Sequence, residues 1–277
     1  MADHKVLDRF RVPTGKTRID LEDWDTDETG PFAGPEGKER AQAEIDGDVE
    51  RIDSLQERLY AARSSGLLVV LQAMDTGGKD GTVRKVFGPL NAQGVTVTSF
   101  KKPTPEELAH DYLWRIHQAA PGRGDIAVFN RSHYEDVLVV RVHEWVSKET
   151  IERRYGEINA FEALLHHSGI KVLKIFLHIS KKEQKQRLEE RLADPDKHWK
   201  FNPDDLSERK LWKEYRQAYE IALARCSTPH APWFVVPADR KWFRNWLVAK
   251  LVRRALEDLK PEFPPSPKGF AKIRIPD

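Results

Sequence analysis

Apolar positions along the chain change period several times, and each change marks an element. From about Lys38 to Arg63, Ala43, Ile45, Val49, Ile52, Leu55, Leu59 and Tyr60 recur at helical spacing. Leu67–Leu71 is instead a solid apolar run, as in a strand buried on both faces, and it ends in a Gly-rich turn. Beyond that turn, Val83, Val86, Phe87 and Leu90 predict a helix stopped near Gly94, and the β-branched stretch Val95–Phe100 predicts a second strand. Thr104 is placed to cap a helix with Pro105 at its first position. A third strand is expected at Ile126–Phe129, a helix from about Lys148 to His167, and a fourth strand at Val172–Ile179. Ser180 caps a helix through Leu192 that Asp194-Pro195 stops, and Pro203 opens another from about Asp204 to Ala224. Residues 233–237 read as the last strand, and Asp239 to about Leu259 as the last helix.

Five short strands separated by helices imply an α/β fold, a three-layer sandwich with a five-stranded parallel sheet covered on both faces. The chain reads as a single domain over residues 1–277. Residues 1–66 form an N-terminal extension and helix, 67–259 the core with a lid at about 181–213, and 260–277 a Pro-rich extended tail. Residues 1–37 lack sustained periodicity and are expected to pack against the core or a neighbouring subunit.

Net charge is only +2, so a polyanion partner must be argued from where basic side chains lie, and a nucleic-acid role is disfavoured. The single cysteine, Cys226, allows no intrachain disulfide and no Cys-based zinc site. No apolar run approaches ~18 residues and the N-terminus has no signal-like apolar region, so a cytoplasmic protein without membrane association is expected. The histidines, His110, His117 and His166-His167 among them, form no HExxH or carboxylate-supported ligand set and are expected at the surface or in packing. Trp199, Trp212, Trp233, Trp242 and Trp246 are expected mostly in the core.

The turn after the first strand carries the chemistry. In Ala73–Thr82, AMDTGGKDGT, glycines let backbone N–H groups converge on an anion, a new helix aims its positive end at the same point, and Lys79 adds a full charge. A generic P-loop reads G-x-x-x-x-G-K-[ST]; here only Gly78-Lys79 is retained, Ala73 stands at the first glycine and Asp80 at the hydroxyl. Asp75 within the loop suits phosphates only with Mg2+ between them, and Gly77, Gly81 and Thr82 complete the candidate phosphate cradle.

Ligands collect at the carboxyl ends of strands in an open parallel sheet, which brings two further loops to this one. Lys101-Lys102 follows the second strand. Asn130-Arg131 follows the third and precedes Glu135 and Asp136, which sets a phosphate-binding guanidinium beside carboxylates able to hold Mg2+. Arg187 and Arg191, four residues apart, share one helix face, with Lys197 and Lys200 after the Pro195 break. Such an arm closing over phosphates would stabilise charge on a transferring phosphoryl group, although the ten basic and eight acidic side chains of 181–213 also suit a solvated, salt-bridged helix.

A-M-D-T-G-G-K-D-G-T at 73–82, F-N-R-S-H-Y-E-D at 129–136, and D-P-x-K-x-W-K at 194–200 followed by T-P-H-A-P-W at 228–233 resemble, in this order, the polyphosphate kinases of the second type. These are P-loop kinases that use inorganic polyphosphate as phosphoryl donor to nucleotides. The resemblance spans about Leu67 through 233–246 and implies a P-loop kinase-like fold with a helical lid. By it, Asp75 is the loop carboxylate for Mg2+, Lys79 the P-loop lysine, and Arg131 and Arg191 phosphate-binding arginines, the latter from the lid. Asn130 stands where relatives carry Asp, so Glu135 or Asp136 is expected to complete the metal site. Glu135 stands where diphosphate-specific members tend to have Asn, which points to members accepting both mono- and diphosphates. The implied reaction is Mg2+-dependent phosphoryl transfer, with Mn2+ as a substitute, between polyphosphate and purine nucleotides, in a homodimer or homotetramer. An ATP-dependent kinase of the same fold and a non-catalytic polyanion-binding module are the alternatives.

Overall fold

The computed structural model describes residues 6–270 and 273–276. Helix α1, Gly37–Ala62, precedes strand β1, Gly66–Ala73; the Gly-rich loop then opens α2, Lys79–Thr82, which widens into a π-turn over Val83–Phe87. Next come β2 at Val95–Ser99, the short helices α3 (Pro105–Leu108) and α4 (Trp114–Ala119), and β3 at Ile126–Asn130. Helices α5 (Val139–Val142) and α6 (Lys148–His167) lead to β4, Ile170–His178. The lid contains α7, Lys181–Ala193, and α8, Asp204–Lys210; α9 (Trp212–Cys226), β5 (Trp233–Pro237) and α10 (Lys241–Leu259) follow.

The five strands run β2-β3-β1-β4-β5 and every pairing is parallel. From β1 the chain crosses toward β2, and from β4 it crosses the other way toward β5. The carboxyl ends of the central strands therefore open a crevice where the crossovers diverge. β1 is buried along its whole length, because helices cover both faces of the sheet and leave no solvent side to favour alternation. On one face α1 packs along α10, and Ile45, Ile52 and Leu59 belong to the same apolar cluster as Phe243, Leu247 and Leu251. Asp48 ties the two helices by pairing with Arg253 at 2.6 Å and Lys250 at 3.2 Å.

The irregular N-terminal segment packs against the core through Leu7, Phe10, Val12, Leu21 and Phe32, all buried. Val12 N–H donates to Trp233 O and Val235 N–H to Phe10 O, both at 2.8 Å, which covers the otherwise open β5 edge.

Three expectations are corrected. The helix expected to reach Gly94 ends at Phe87, where the π-turn dissipates it. The expected 204–224 helix is two helices, because Leu211 leaves helical geometry at ψ 24°. Trp199 is 79% exposed on the lid rather than in the core, with the Lys200 ammonium 4.9 Å from its ring centre. Thr104 does cap α3 as expected, through a capping box with Glu107, but α3 lasts a single turn.

Candidate active site

The Gly-rich loop owes its shape to two close approaches. A Cβ at Gly77 would lie 2.4 Å from the Ala73 Cβ and 2.9 Å from Met74 O, and Gly78 adopts φ 101°, open in practice only to glycine. Gly77 N–H closes the turn on Met74 O, and Thr82 N–H starts the helix on Gly78 O, both at 3.0 Å. The Lys79 ammonium folds back to Ala73 O at 3.2 Å. Burial, aided by Arg131 nearby, lowers its pKa to about 8 against the opposing pull of Asp75, Glu135 and Asp80.

At the end of β3 the backbone turns sharply. Arg131 has φ 65°, a conformation costing about 1–3 kcal/mol for a non-glycine residue, and its N–H is held by Leu71 O at 3.1 Å. The turn carries its guanidinium to Asp75, with Nη2 and Oδ1 3.1 Å apart. Asn130 donates to Asp80 Oδ1 at 2.8 Å, so the third loop is tied to the first at two points. The Ser132 hydroxyl accepts from Tyr134 N–H and starts a 3₁₀ turn, His133–Asp136, that separates the two acids. Glu135 faces a cavity of about 270 Å³ shared with Asp75, Arg131 and lid residues Asp205, Glu208 and Arg209. Asp136 faces away, toward Arg154 at 3.8 Å and Arg115 at 3.9 Å. Burial raises its pKa to about 6 although both arginines oppose the shift.

The lid reaches this cleft from the far side of the loop. Gln184 donates to Asp75 O at 3.1 Å. Arg187, expected to bind phosphate, instead braces the loop: it donates to Thr76 O, Ala238 O and Asp239 O, and pairs with Glu183 at 2.7 Å. Arg191 donates to Lys200 O at 3.2 Å and stands 3.7 Å from Asp205, while Lys200 stands 3.8 Å from Asp80. Lys197 pairs with Asp194 on the exposed side of the lid, Thr82 is buried with no partner for its hydroxyl among the described residues, and Lys101 and Lys102 lie exposed past the end of β2. The structure thus gathers Asp75, Lys79, Arg131 and Glu135 in one cleft with Arg191 and Lys200 on its lid side. It does not bring Asp136, Arg187 or Lys197 into that cleft. Among the described residues no three His, Cys, Asp or Glu side chains converge closely enough to hold a metal alone.

A parallel sheet in this strand order, a Gly-rich loop with its lysine at the crevice, and a helical lid carrying arginines define a P-loop kinase-like fold. The chain belongs to the Polyphosphate kinase 2 (PPK2) family, whose profile matches residues 36–264. It is 49% identical over 270 residues to the AMP/ADP-polyphosphate phosphotransferase of Meiothermus ruber, covering 97% of this chain and 100% of that one. It is 41% identical to the ADP-polyphosphate phosphotransferase of Rhodopseudomonas palustris, over 92% of this chain and 91% of the relative. The crystal structure of Polyphosphate Kinase 2 from Arthrobacter aurescens TC1 superposes with a TM-score of 0.90 at 43% identity, covering 95% of this chain and 93% of that one.

One cluster behind the site escapes the sequence reading. Lys174, in the middle of β4, is fully buried and pairs with Glu162 of α6 at 2.5 Å; its ammonium also reaches Cys226 O at 2.6 Å and the Tyr134 hydroxyl at 2.8 Å. Glu162 accepts from that hydroxyl and lies 3.2 Å from His133. The network thereby fixes the turn that immediately follows Arg131. Its only trace in the sequence is a lysine interrupting an apolar strand and a glutamate interrupting the apolar face of α6.

Proposed function

We propose that this chain catalyses Mg2+-dependent transfer of a terminal phosphoryl group between inorganic polyphosphate and purine nucleotides, with both mono- and diphosphates as acceptors. The observation that carries this reading is the meeting, at the carboxyl edge of the sheet, of Lys79 and Arg131 with the carboxylates of Asp75 and Glu135. Cations alone would suit passive binding of a polyanion. Carboxylates set among them suit a reaction in which a divalent ion shares the phosphates.

Mg2+ is commonly held by one or two protein carboxylates plus substrate phosphates, which matches a cleft lacking a complete metal cage of its own. Asp75 and Glu135 are the residues that would hold it, and bound Mg2+ would neutralise phosphate charge. The rest of the chemistry is positioning. The loop N–H groups and Lys79 orient the donor chain, Arg131 stabilises charge on the transferring group, and the lid, with Arg191, excludes water from the cleft. A terminal phosphate oxygen of the acceptor attacks the terminal phosphorus of the chain, and the bond to the bridging oxygen breaks, leaving polyphosphate one unit shorter. That oxygen is already ionised at neutral pH, so no general base is required. The acceptor range rests on Glu135 and on the name of the M. ruber relative.

A Mg2+ titration of ATP formation from polyphosphate and ADP tests the metal site. Glu135→Gln is expected to need about tenfold or more Mg2+ for half-maximal rate, and Asp136→Asn the same as wild type, because Asp136 faces Arg115 and Arg154. An unchanged requirement in Glu135→Gln would remove Glu135 from that role. With AMP as acceptor, wild type is expected to yield ADP and then ATP; failure with AMP alone would restrict the acceptors to diphosphates.

A further inference from the structure

Beneath the Gly-rich loop lies a cation with no counter-charge among the described residues. Arg244, in the first turn of α10, is 3% exposed. Its Nε and Nη2 donate to the Asn245 side-chain oxygen at 3.1 and 2.9 Å, and among the described residues no carboxylate comes within 4.0 Å of the guanidinium. Among the described residues, the other cations as fully shielded from solvent have acids within 4.0 Å: Arg115 has Glu107 and Asp136, Lys174 has Glu162, Arg187 has Glu183, and Lys250 has Glu44 and Asp48, while Lys79, at the mouth of the loop, is only half-buried.

The unmatched guanidinium presses on the loop itself. A Cβ at Gly78 would lie 1.8 Å from Nη1, and one at Gly81 3.2 Å from Nη2. Gly78 must therefore lack a side chain for this guanidinium to sit where it does, and a Cβ at Gly81 would crowd it. Nη1, the atom nearest the loop, donates to no acceptor among the described residues. Burial, with Arg187 nearby, lowers the Arg244 pKa to about 9, the sign of a charge that the surrounding protein does not stabilise.

We infer that Arg244 is a positioning residue of the phosphate site: a fixed positive charge behind Gly78 and Gly81 whose counter-ion is the phosphate chain held by the loop. A buried charge lacking a partner destabilises the empty protein, and an apolar side chain of similar volume removes that cost. The charge is retained because an anion on the other side of the loop offsets it. The cation draws substrate toward the loop without touching the reacting atoms, so its effect falls on binding rather than on the chemical step.

The inference rests on the reading of this loop as a phosphate site, and the test separates the two. Inorganic tripolyphosphate binding is measured by calorimetry on wild type, Arg244→Met and Arg244→Lys, together with melting temperatures without ligand and the kcat and KM for polyphosphate. Arg244→Met is expected to melt no lower than wild type, to bind tripolyphosphate about tenfold or more weakly, and to raise KM similarly while kcat stays within about threefold. Arg244→Lys, which keeps the charge, is expected to stay within about threefold of wild-type affinity. Wild type failing to bind tripolyphosphate would defeat the reading of the loop. Wild-type binding with unchanged affinity in Arg244→Met would overturn the role of Arg244 alone. Weak binding in both variants with a lowered melting temperature would assign Arg244 to packing and overturn it too.

Discussion

Lys79→Ala is expected to lower kcat/KM for phosphoryl transfer from polyphosphate by about 10²–10³ while leaving the fold intact. The ammonium stands inside the loop, 3.2 Å from Ala73 O, and among the described residues no carboxylate lies within 4.0 Å of it to hold it in place for structural reasons. Its charge is therefore free for phosphate, and in a buried setting such a charge acts far more strongly than in water. Lys79→Arg is expected to recover little, since a planar guanidinium fork does not place its charge where a compact ammonium does. Steady-state rates with polyphosphate and ADP, alongside melting curves, check the prediction. A Lys79→Ala protein with wild-type turnover would remove the loop from the reaction.

The second large effect is on stability. Lys174→Met leaves Glu162 ionised and fully buried without its cation, and breaking such a pair costs about 3–5 kcal/mol, or a fall in melting temperature on the order of 10 °C. The double variant Lys174→Met, Glu162→Gln is expected to lose less, because the stranded charge is gone. The pH dependence follows from the shifts. Burial favours a protonated Glu162, but Lys174 and His133 outweigh it and hold the carboxyl below its ordinary value of 4.5. Its contribution is therefore complete above pH 4.5 and lost as pH falls through the lowered value. Burial likewise lowers His133 below 6.5, so from there downward the unfolded chain takes up a proton that the folded one resists. Wild type thus loses stability as pH falls. In Lys174→Met the uncompensated carboxyl gains from protonation, and the melting-temperature gap from wild type is expected to narrow between pH 7 and 4. A constant gap would show that the pair is not the source of the loss.

Much of this architecture is legible in the sequence because the strands are short, apolar and bounded by Gly, Pro and caps. All five strands lie where the pattern puts them, to within about two residues: β4 begins at Ile170, directly after the left-handed turn at Gly169, rather than at Val172. Strand order was not legible, since periodicity within one segment says nothing of which strand it meets. The Gly-rich loop and the Asn130–Asp136 segment were legible for a different reason: polar, charged residues at strand ends stand out against the core pattern. What sequence could not supply was direction. Glu135 and Asp136 are neighbours, yet one 3₁₀ turn sends them to different cavities. Arg187 and Arg191 share a helix face, but Arg187 meets three backbone carbonyls at the base of α7, while Arg191, one turn further, meets Lys200 O within the lid. Lys174 and Arg244 were missed because a cation inside an apolar segment reads as an exposed position until the partner or the empty space beside it is seen.

The most direct test of the account is to supply polyphosphate as the sole phosphoryl donor to the purified protein with Mg2+ and ADP, following both products by phosphorus NMR. The account predicts ATP formation with one terminal unit lost from the polyphosphate for each ATP made. No ATP from polyphosphate, with transfer seen only when ATP is the donor to another acceptor, would contradict it.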